Sequence, residues 1–382
     1  MCFRKQRGGG SLLPRTLAVL ALDPNRKFGS LEEQTLFLAR AFRDRGSAFV
    51  PVFAAEPVGP VADLFRVENL AAAGLDLEGF RLGTLRALVR LVDRHSIEVV
   101  HWNFYSPLTP YLFGVSALRP RVRHVFTQHG SRWLGDAPRS ALFRRLKAVL
   151  MRRYDAVLGV SDFVVRYMED EGPRGRLGRF WHFVSLDRFR PDAVVRAEVR
   201  REQRATHAFV VVAVGRLIPE KGFHVLIEAM ASLPADAQLW VIGEGSQRAE
   251  LEALISRLGL RDRVTLFGSR ERVERFLQAA DVASCPSVWE EAAGLVNLEA
   301  SAVGLPSVAS DIGGIPEFVR RDETGLLVPP GDAAALAESL LSLQRDPERR
   351  RAMGDAARRF AETRFAVDET IERNLAVYLA WR

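Results

Sequence analysis

The feature that most constrains the fold is a rhythm that runs twice through the chain: short, almost wholly apolar runs bounded by turn residues, separated by segments with helical spacing. A strand buried on both faces reads as a continuous apolar run, and such strands belong to parallel sheets whose connections are helices. In the first half the runs are 16–22, 48–53, 98–101, 124–127 and 156–160, with helices predicted at about 31–45, 82–95 and 141–153. The alternation restarts at 209–214 and continues through 238–242, 263–267, 282–285 and 307–309, with helices at about 224–233, 248–258, 271–279, 295–303 and 333–344. Each series predicts one doubly wound α/β domain, which agrees with a length of 382 residues. The polar stretch 190–206 has few core candidates and reads as the linker. Two Rossmann-like domains facing one another would hold a ligand at the C-terminal ends of their strands.

Charge narrows the partners. Lys and Arg number 54 against 47 Asp and Glu, a formal net charge of +7, yet only Lys5, Lys27, Lys147 and Lys221 are lysines. The arginines are spread through every segment, so the surplus marks no single basic face, although acidic substrates such as phosphates remain compatible with it. No aromatic platform is interleaved with a concentrated basic stripe, which sets nucleic acid aside. Cys2 and Cys285 cannot form a disulfide framework, so a reducing, cytoplasmic compartment is expected. The apolar run after the basic N-terminus is broken by Pro14 and Arg15 and is too short for a signal core or a membrane span.

Two loops carry chemistry. Gly215, Arg216, Leu217, Ile218, Pro219, Glu220, Lys221 and Gly222 follow the run 209–214 and put two cations at a strand end. A guanidinium fork and an ammonium point charge together suit a diphosphate, whereas a solvated basic turn is the plainer alternative. After the run 282–285 come Glu290, Glu291, Ala292, Ala293, Gly294, Leu295 and, one helical turn on, Glu299. Gly294 at a helix start leaves N–H groups for an anion, with the two carboxylates placed to bind hydroxyls on either side. Were the stretch helical throughout, eight residues would separate Glu291 and Glu299 by roughly 12 Å, too far for the acid and base of a glycoside hydrolase.

With these loops in place, the second half closely resembles the retaining, nucleotide-sugar-dependent glycosyltransferases of the GT-B fold, family four. The motifs run in one order: VGRLIPEKG from Val214, VIGEG from Val241, VTLFG from Val264, Ala280–Asp281, the Glu291 and Glu299 pair, SDIGGIPEFV from Ser310, and TGLLVPP from Thr324. The first half matches more loosely, at 28–30, 127–130 and 155–161. The resemblance implies a nucleoside diphosphate sugar as donor and a saccharide or lipid-linked acceptor, for polysaccharide or glycolipid assembly, with no cofactor; the sequence has no Asp-x-Asp doublet and no His/Cys cluster with metal spacing, so no metal is expected. It implies that Arg216 and Lys221 meet the donor diphosphate, that Glu299 binds the ribose, and that Glu291 binds the sugar hydroxyls. It places Gly294 and Leu295 at the phosphate and sugar, and Gly215 at the strand exit. Gly243, Gly245, Phe267 and Gly268 would wall the base. His129 would reach the sugar from the first domain, and Gly29 would approach the diphosphate. It further implies a discontinuous boundary: an acceptor domain over 1–195, a donor domain over 196–365, and a helix over 366–382 that crosses back.

Two departures from the family pattern stand out. His182, Phe183, Val184 and Ser185 stand where many members have Asn, Gly, Val and Asp, and Ala293 replaces a commonly bulkier residue. The stretch between Arg139 and Arg153 alternates Leu142, Phe143, Leu146, Val149 and Leu150 with five basic residues. It reads either as peripheral contact with the inner face of the membrane or as a surface helix packed by its apolar face. Trp102, Phe104 and Tyr105 read equally as sugar-stacking surfaces or as core. A nucleotide-sugar epimerase and a non-catalytic nucleotide-sugar-binding relative are the rival functions.

Overall fold

The computed structural model describes residues 13–24, 29–130, 148–170 and 176–380. Cys2, Lys27, Phe28 and the 139–147 part of the basic stretch lie outside the described residues. Packing divides the chain into two units, Met1–Trp181 with Thr370–Arg382, and His182–Glu369.

Among the described residues the first unit holds seven parallel strands: β1 (Thr16–Leu20), β2 (Phe49–Phe53), β3 (Ala73–Gly74), β4 (Val99–Asn103), β5 (Arg123–Gln128), β6 (Ala156–Gly159) and β7 (Arg176–Arg179). Their order in the sheet is β3-β2-β1-β4-β5-β6-β7. Every residue of β1, β2 and β4 is buried, which is why β1 and β2 read as almost wholly apolar runs, while β4 buries the polar His101 and Asn103 among its apolar residues. The last helix, Val367–Leu379, belongs mostly to this unit and so returns the chain to it. Asn374 exchanges two hydrogen bonds with the backbone of Trp181, at 2.8 and 2.9 Å, and Tyr378 packs edge-on against Phe42.

The second unit holds six parallel strands: β8 (Phe209–Val214), β9 (Ala237–Ile242), β10 (Val264–Gly268), β11 (Val282–Cys285), β12 (Ser307–Ser310) and β13 (Gly325–Val328). Their order is β10-β9-β8-β11-β12-β13, and one contiguous apolar core packs Val211, Ala213, Leu239 and Val241 under the helices Phe223–Met230 and Ala333–Arg345.

The linker expectation for 190–206 is corrected. The stretch contains the helix Ala193–Glu202, capped by Asp192, whose carboxylate accepts from the N–H groups of Val194 and Val195. It is anchored by charge more than by an apolar stripe. Arg200 is buried and donates to the carbonyls of Ala279 at 2.8 Å and Ala205 at 3.1 Å and to the Asp281 carboxylate. Arg196 lies 2.6 Å from the other oxygen of Asp281, Oδ1, while the Oδ2 held by Arg200 also accepts from the N–H of Val210 near the start of β8. The chain thus divides after Trp181 and after Glu369, whereas the sequence reading placed the boundaries after 195 and 365. Among the described residues no helix is long and apolar enough to cross a membrane.

Candidate active site

Strand order reverses at β8, whose neighbours are β9 and β11, and the loops leaving β8 and β11 border that switch point. They meet backbone to backbone. Gly222 ends the first loop with φ +65°, and a Cβ there would come within 2.0 Å of the Pro286 carbonyl oxygen, so only glycine allows the approach. The N–H of Val288 donates to the carbonyl of Glu220 at 3.0 Å, closing the junction.

This junction brings together residues seventy apart. Lys221 Nζ lies 2.5 Å from Glu291 Oε1, and Ser287 Oγ donates to the same oxygen at 2.6 Å. The Lys221 and Glu291 side chains keep 27% and 18% of their surface, so a ligand can reach the pair. Arg216, in the same loop as Lys221, is exposed and has no ion pair among the described residues. The backbone of Glu291 is braced from the loop after β12, where the N–H of Gly314 donates to its carbonyl at 2.7 Å.

Beyond Glu291 the chain turns through Gly294, in the left-handed region, into the helix Leu295–Ala302. Asn297 is fully buried and its Nδ2 donates to the Gly294 carbonyl at 3.1 Å, which fixes the turn. Leu295 is half-buried at the helix start, and Glu299 is half-buried one turn on. Only Glu299 stands on the helix, so the spacing of the two glutamates is not a helical rise. Ala293 is buried beside them.

The residues expected to wall the base lie at the exits of three neighbouring strands, β8, β9 and β10. A Cβ on Gly243 would lie 1.8 Å from the Gly215 carbonyl oxygen, and the Gly243 N–H donates to the Gly268 carbonyl at 2.9 Å. A Cβ on Gly245 would lie 2.3 Å from the Leu217 carbonyl oxygen. These contacts knit the exits of β8, β9 and β10 together. Phe267 is half-buried, its ring 5.0 Å from that of Phe276 and 6.0 Å from that of Trp240.

In the first unit, His129 follows β5. Its ring stacks on Phe104 at 3.7 Å between centroids, and its Nε2 is 3.1 Å from Asn103 Oδ1. Trp102 is fully buried and donates to His124 Nδ1 at 3.2 Å, which makes it core. Tyr105 donates to the Leu77 carbonyl, and Phe104 serves as the platform for His129. Gly29 caps the helix Ser30–Asp44, and its N–H donates to Glu32 Oε2 at 2.9 Å.

Sequence reasoning passed over Ser287, the brace from Gly314, and a buried network around His101. His101 Nδ1 and Nε2 lie 2.6 Å from the hydroxyls of Tyr378 and Thr127, and burial pushes its pKa down to about 3. The one available signal for Ser287 was its place four residues before Glu291 in the same loop. Among the described residues, no cluster of three His, Cys, Asp or Glu side chains could hold a metal ion.

The fold and these loops define a class, and comparison with known proteins places the chain in it. The family described as Glycosyl transferases group 1 matches residues 195–360, and Glycosyltransferase Family 4 matches residues 31–188. The chain belongs to the group 1 glycosyltransferases, enzymes of the GT-B fold. It is 31% identical over 304 residues to the GDP-mannose-dependent alpha-(1-6)-phosphatidylinositol monomannoside mannosyltransferase of Mycobacterium tuberculosis, covering 76% of this chain and 77% of that protein. It is likewise 31% identical over 293 residues to the alpha-D-kanosaminyltransferase of Streptomyces kanamyceticus, covering 72% and 73%. The structure of Anabaena HepE in complex with UDP-glucose has the same fold, with a TM-score of 0.79 at 24% identity over 96% of this chain and 99% of that one.

Proposed function

We propose that this glycosyltransferase moves a sugar from a nucleoside diphosphate sugar to an acceptor hydroxyl with retention of anomeric configuration and without a metal ion, in polysaccharide or glycolipid assembly. The observation that carries the reading is the meeting of Lys221 and Glu291 at the switch point, with Arg216 in one contributing loop and the Gly294 turn in the other. Arg216, Lys221 and the N–H groups at Leu295 would stabilise the charge that the leaving diphosphate gains, as fixed donors that need no rearrangement. Glu291 would hold the sugar hydroxyls and Glu299 the ribose. Gly215, Gly243, Gly245, Phe267 and Gly268 would surround the base. The relatives named for GDP-mannose and solved with UDP-glucose support a nucleotide-sugar donor.

Because one oxygen of Glu291 is already held by Lys221 and Ser287, the carboxylate suits binding better than nucleophilic attack. That favours a front-face route in which a leaving phosphate oxygen takes the acceptor proton while the acceptor attacks the same face, keeping configuration. The donor domain would be the second unit and the acceptor domain the first, with His129 directed to the sugar and Gly29 to the diphosphate. The acceptor would be a saccharide or a lipid-linked saccharide, presented in the cytoplasm at the inner membrane face through the stretch between Arg139 and Arg153.

The test incubates the protein with a panel of UDP-, GDP-, dTDP- and ADP-sugars and acceptors, following nucleoside diphosphate release and the configuration of the product. Lys221→Ala and Glu291→Ala are each expected to lower release and transfer about 100- to 1000-fold. Unchanged rates in both variants would sink the reading. Conversion of the donor sugar with no release would mark an epimerase, and binding with neither would mark a non-catalytic relative.

A further inference from the structure

We infer that Ser287 is a positioning residue for Glu291: it fixes which carboxylate oxygen faces Lys221 and so leaves the other oxygen turned to the donor sugar. The inference rests on the reading of Glu291 as the sugar-binding carboxylate. Its basis is the shared acceptor. Ser287 Oγ and Lys221 Nζ, at 2.6 and 2.5 Å, both address Oε1, and among the described residues Oε1 alone of the two oxygens has a hydrogen-bond partner.

The two donors do different work. An ammonium is a point charge with three rotating N–H bonds, so it attracts a carboxylate without setting its rotation. A hydroxyl has one hydrogen and a defined direction. An ionised carboxylate only accepts, so the Ser287 hydrogen is committed to Glu291. Among the described residues the remaining polar partner of the Ser287 hydroxyl is Cys285 Sγ at 3.8 Å, a buried thiol that is left as the donor in that weak contact.

Ser287 is also held firmly in place. It is 1% exposed, so its hydroxyl is shielded from bulk water. Its backbone neighbour Pro286 is the residue whose carbonyl abuts Gly222, so Ser287 is anchored at the junction of the two loops. The hydroxyl therefore reports the position of the β8 loop to the carboxylate of the β11 loop.

The test measures donor turnover for wild type, Ser287→Ala, Ser287→Thr, Glu291→Ala and the double variant, using the sugar nucleotide of the panel that wild type turns over fastest. Circular dichroism and melting midpoints establish that each is folded. Loss of a hydrogen bond to a charged group together with a misplaced carboxylate predicts a kcat about 10- to 100-fold lower in Ser287→Ala, with KM for the donor changed far less. Added to Glu291→Ala, the same substitution should cost less than about twofold, because its only route of action is gone. Recovery of part of the kcat in Ser287→Thr is the further expectation. A Ser287→Ala enzyme equal to wild type while Glu291→Ala is impaired overturns the role of Ser287 and leaves the site reading intact. An equal loss in both backgrounds also overturns it, since that marks a general structural role. Unimpaired Glu291→Ala, or a wild-type protein inert to the whole panel, removes the site reading and this inference together.

Discussion

Each unit joins polar side chains from distant parts of the chain, and the two clusters are built to opposite ends. In the second unit Lys221, Ser287 and Glu291 meet at a loop junction, with the charged pair still partly open to solvent. In the first, His101 on β4 is bonded to Thr127 on β5 and to Tyr378 on the returning helix, and all three are buried. Both ring nitrogens of His101 are used, whereas Glu291 keeps an oxygen without a partner among the described residues. A polar network that is fully satisfied and sealed fixes structure, and one left short of partners and open can take a ligand. Sequence distance does not separate them, since both are long-range.

Acid should break the sealed side first and with the largest effect. Burial lowers the pKa of His101 to about 3 and that of His124 to about 4, both below the ordinary 6.5. The folded state therefore binds fewer protons than the unfolded one, so stability is complete above 6.5 and is lost as pH falls toward the folded values. The limiting loss is about 1.4 kcal/mol per pH unit for each group, on the order of 5 kcal/mol for both between pH 6.5 and 4.5. Urea denaturation at several pH values should show this fall, and a His101→Asn, His124→Asn double variant should show a shallower one. Identical slopes would mean that neither histidine is linked to folding.

The open side should break through its backbone. Gly222→Ala puts a methyl against the Pro286 carbonyl at a positive φ, prying apart the loops that align Lys221 with Glu291. Displacement on the ångström scale predicts a loss in transfer of about 100-fold. Gly46→Ala is the control in the first unit: φ is +72° but open space surrounds it, so it should cost about 1–2 kcal/mol of stability and no activity. Equal transfer in the two variants would show that the junction does not set the site.

How much of this was legible in the sequence follows from what each element buries. β1, β2 and β8 stood out because every residue or nearly every residue faces core, and the run FVVVAV announces itself. The sheet edges did not. β3 is two residues long and β7 reads Arg176, Leu177, Gly178, Arg179, half-exposed and without an apolar run. The helix Ala193–Glu202 was hidden because its anchor is a buried Arg200 on Asp281, a pairing that no hydrophobic period signals. At the site, Arg216, Lys221, Glu291 and Gly294 were readable as residue types after strands. What could not be read was their mutual geometry: which oxygen of Glu291 takes Lys221, that Ser287 shares it, and that Gly314 braces the backbone.

The smallest expected effect tests the link between the two kinds of cluster, because His129 lies next to the sealed network yet is a candidate for the chemistry. Asn103 donates through Nδ2 to the His101 carbonyl at 3.2 Å, which turns its Oδ1 toward His129. An amide oxygen accepts, so the His129 proton sits on Nε2 and the ring is held flat against Phe104 by that bond and by stacking. Phe104 itself has φ +56°, a conformation that is costly for a bulky residue and is retained here beneath the histidine. A ring so fixed is held in one orientation. His129→Ala should lower kcat about tenfold, the worth of one hydrogen bond, without changing nucleoside diphosphate affinity, and Asn103→Ala should reproduce part of that loss by freeing the ring. If His129→Ala turns over donor at the wild-type rate, the residue belongs with His101 on the structural side of the comparison.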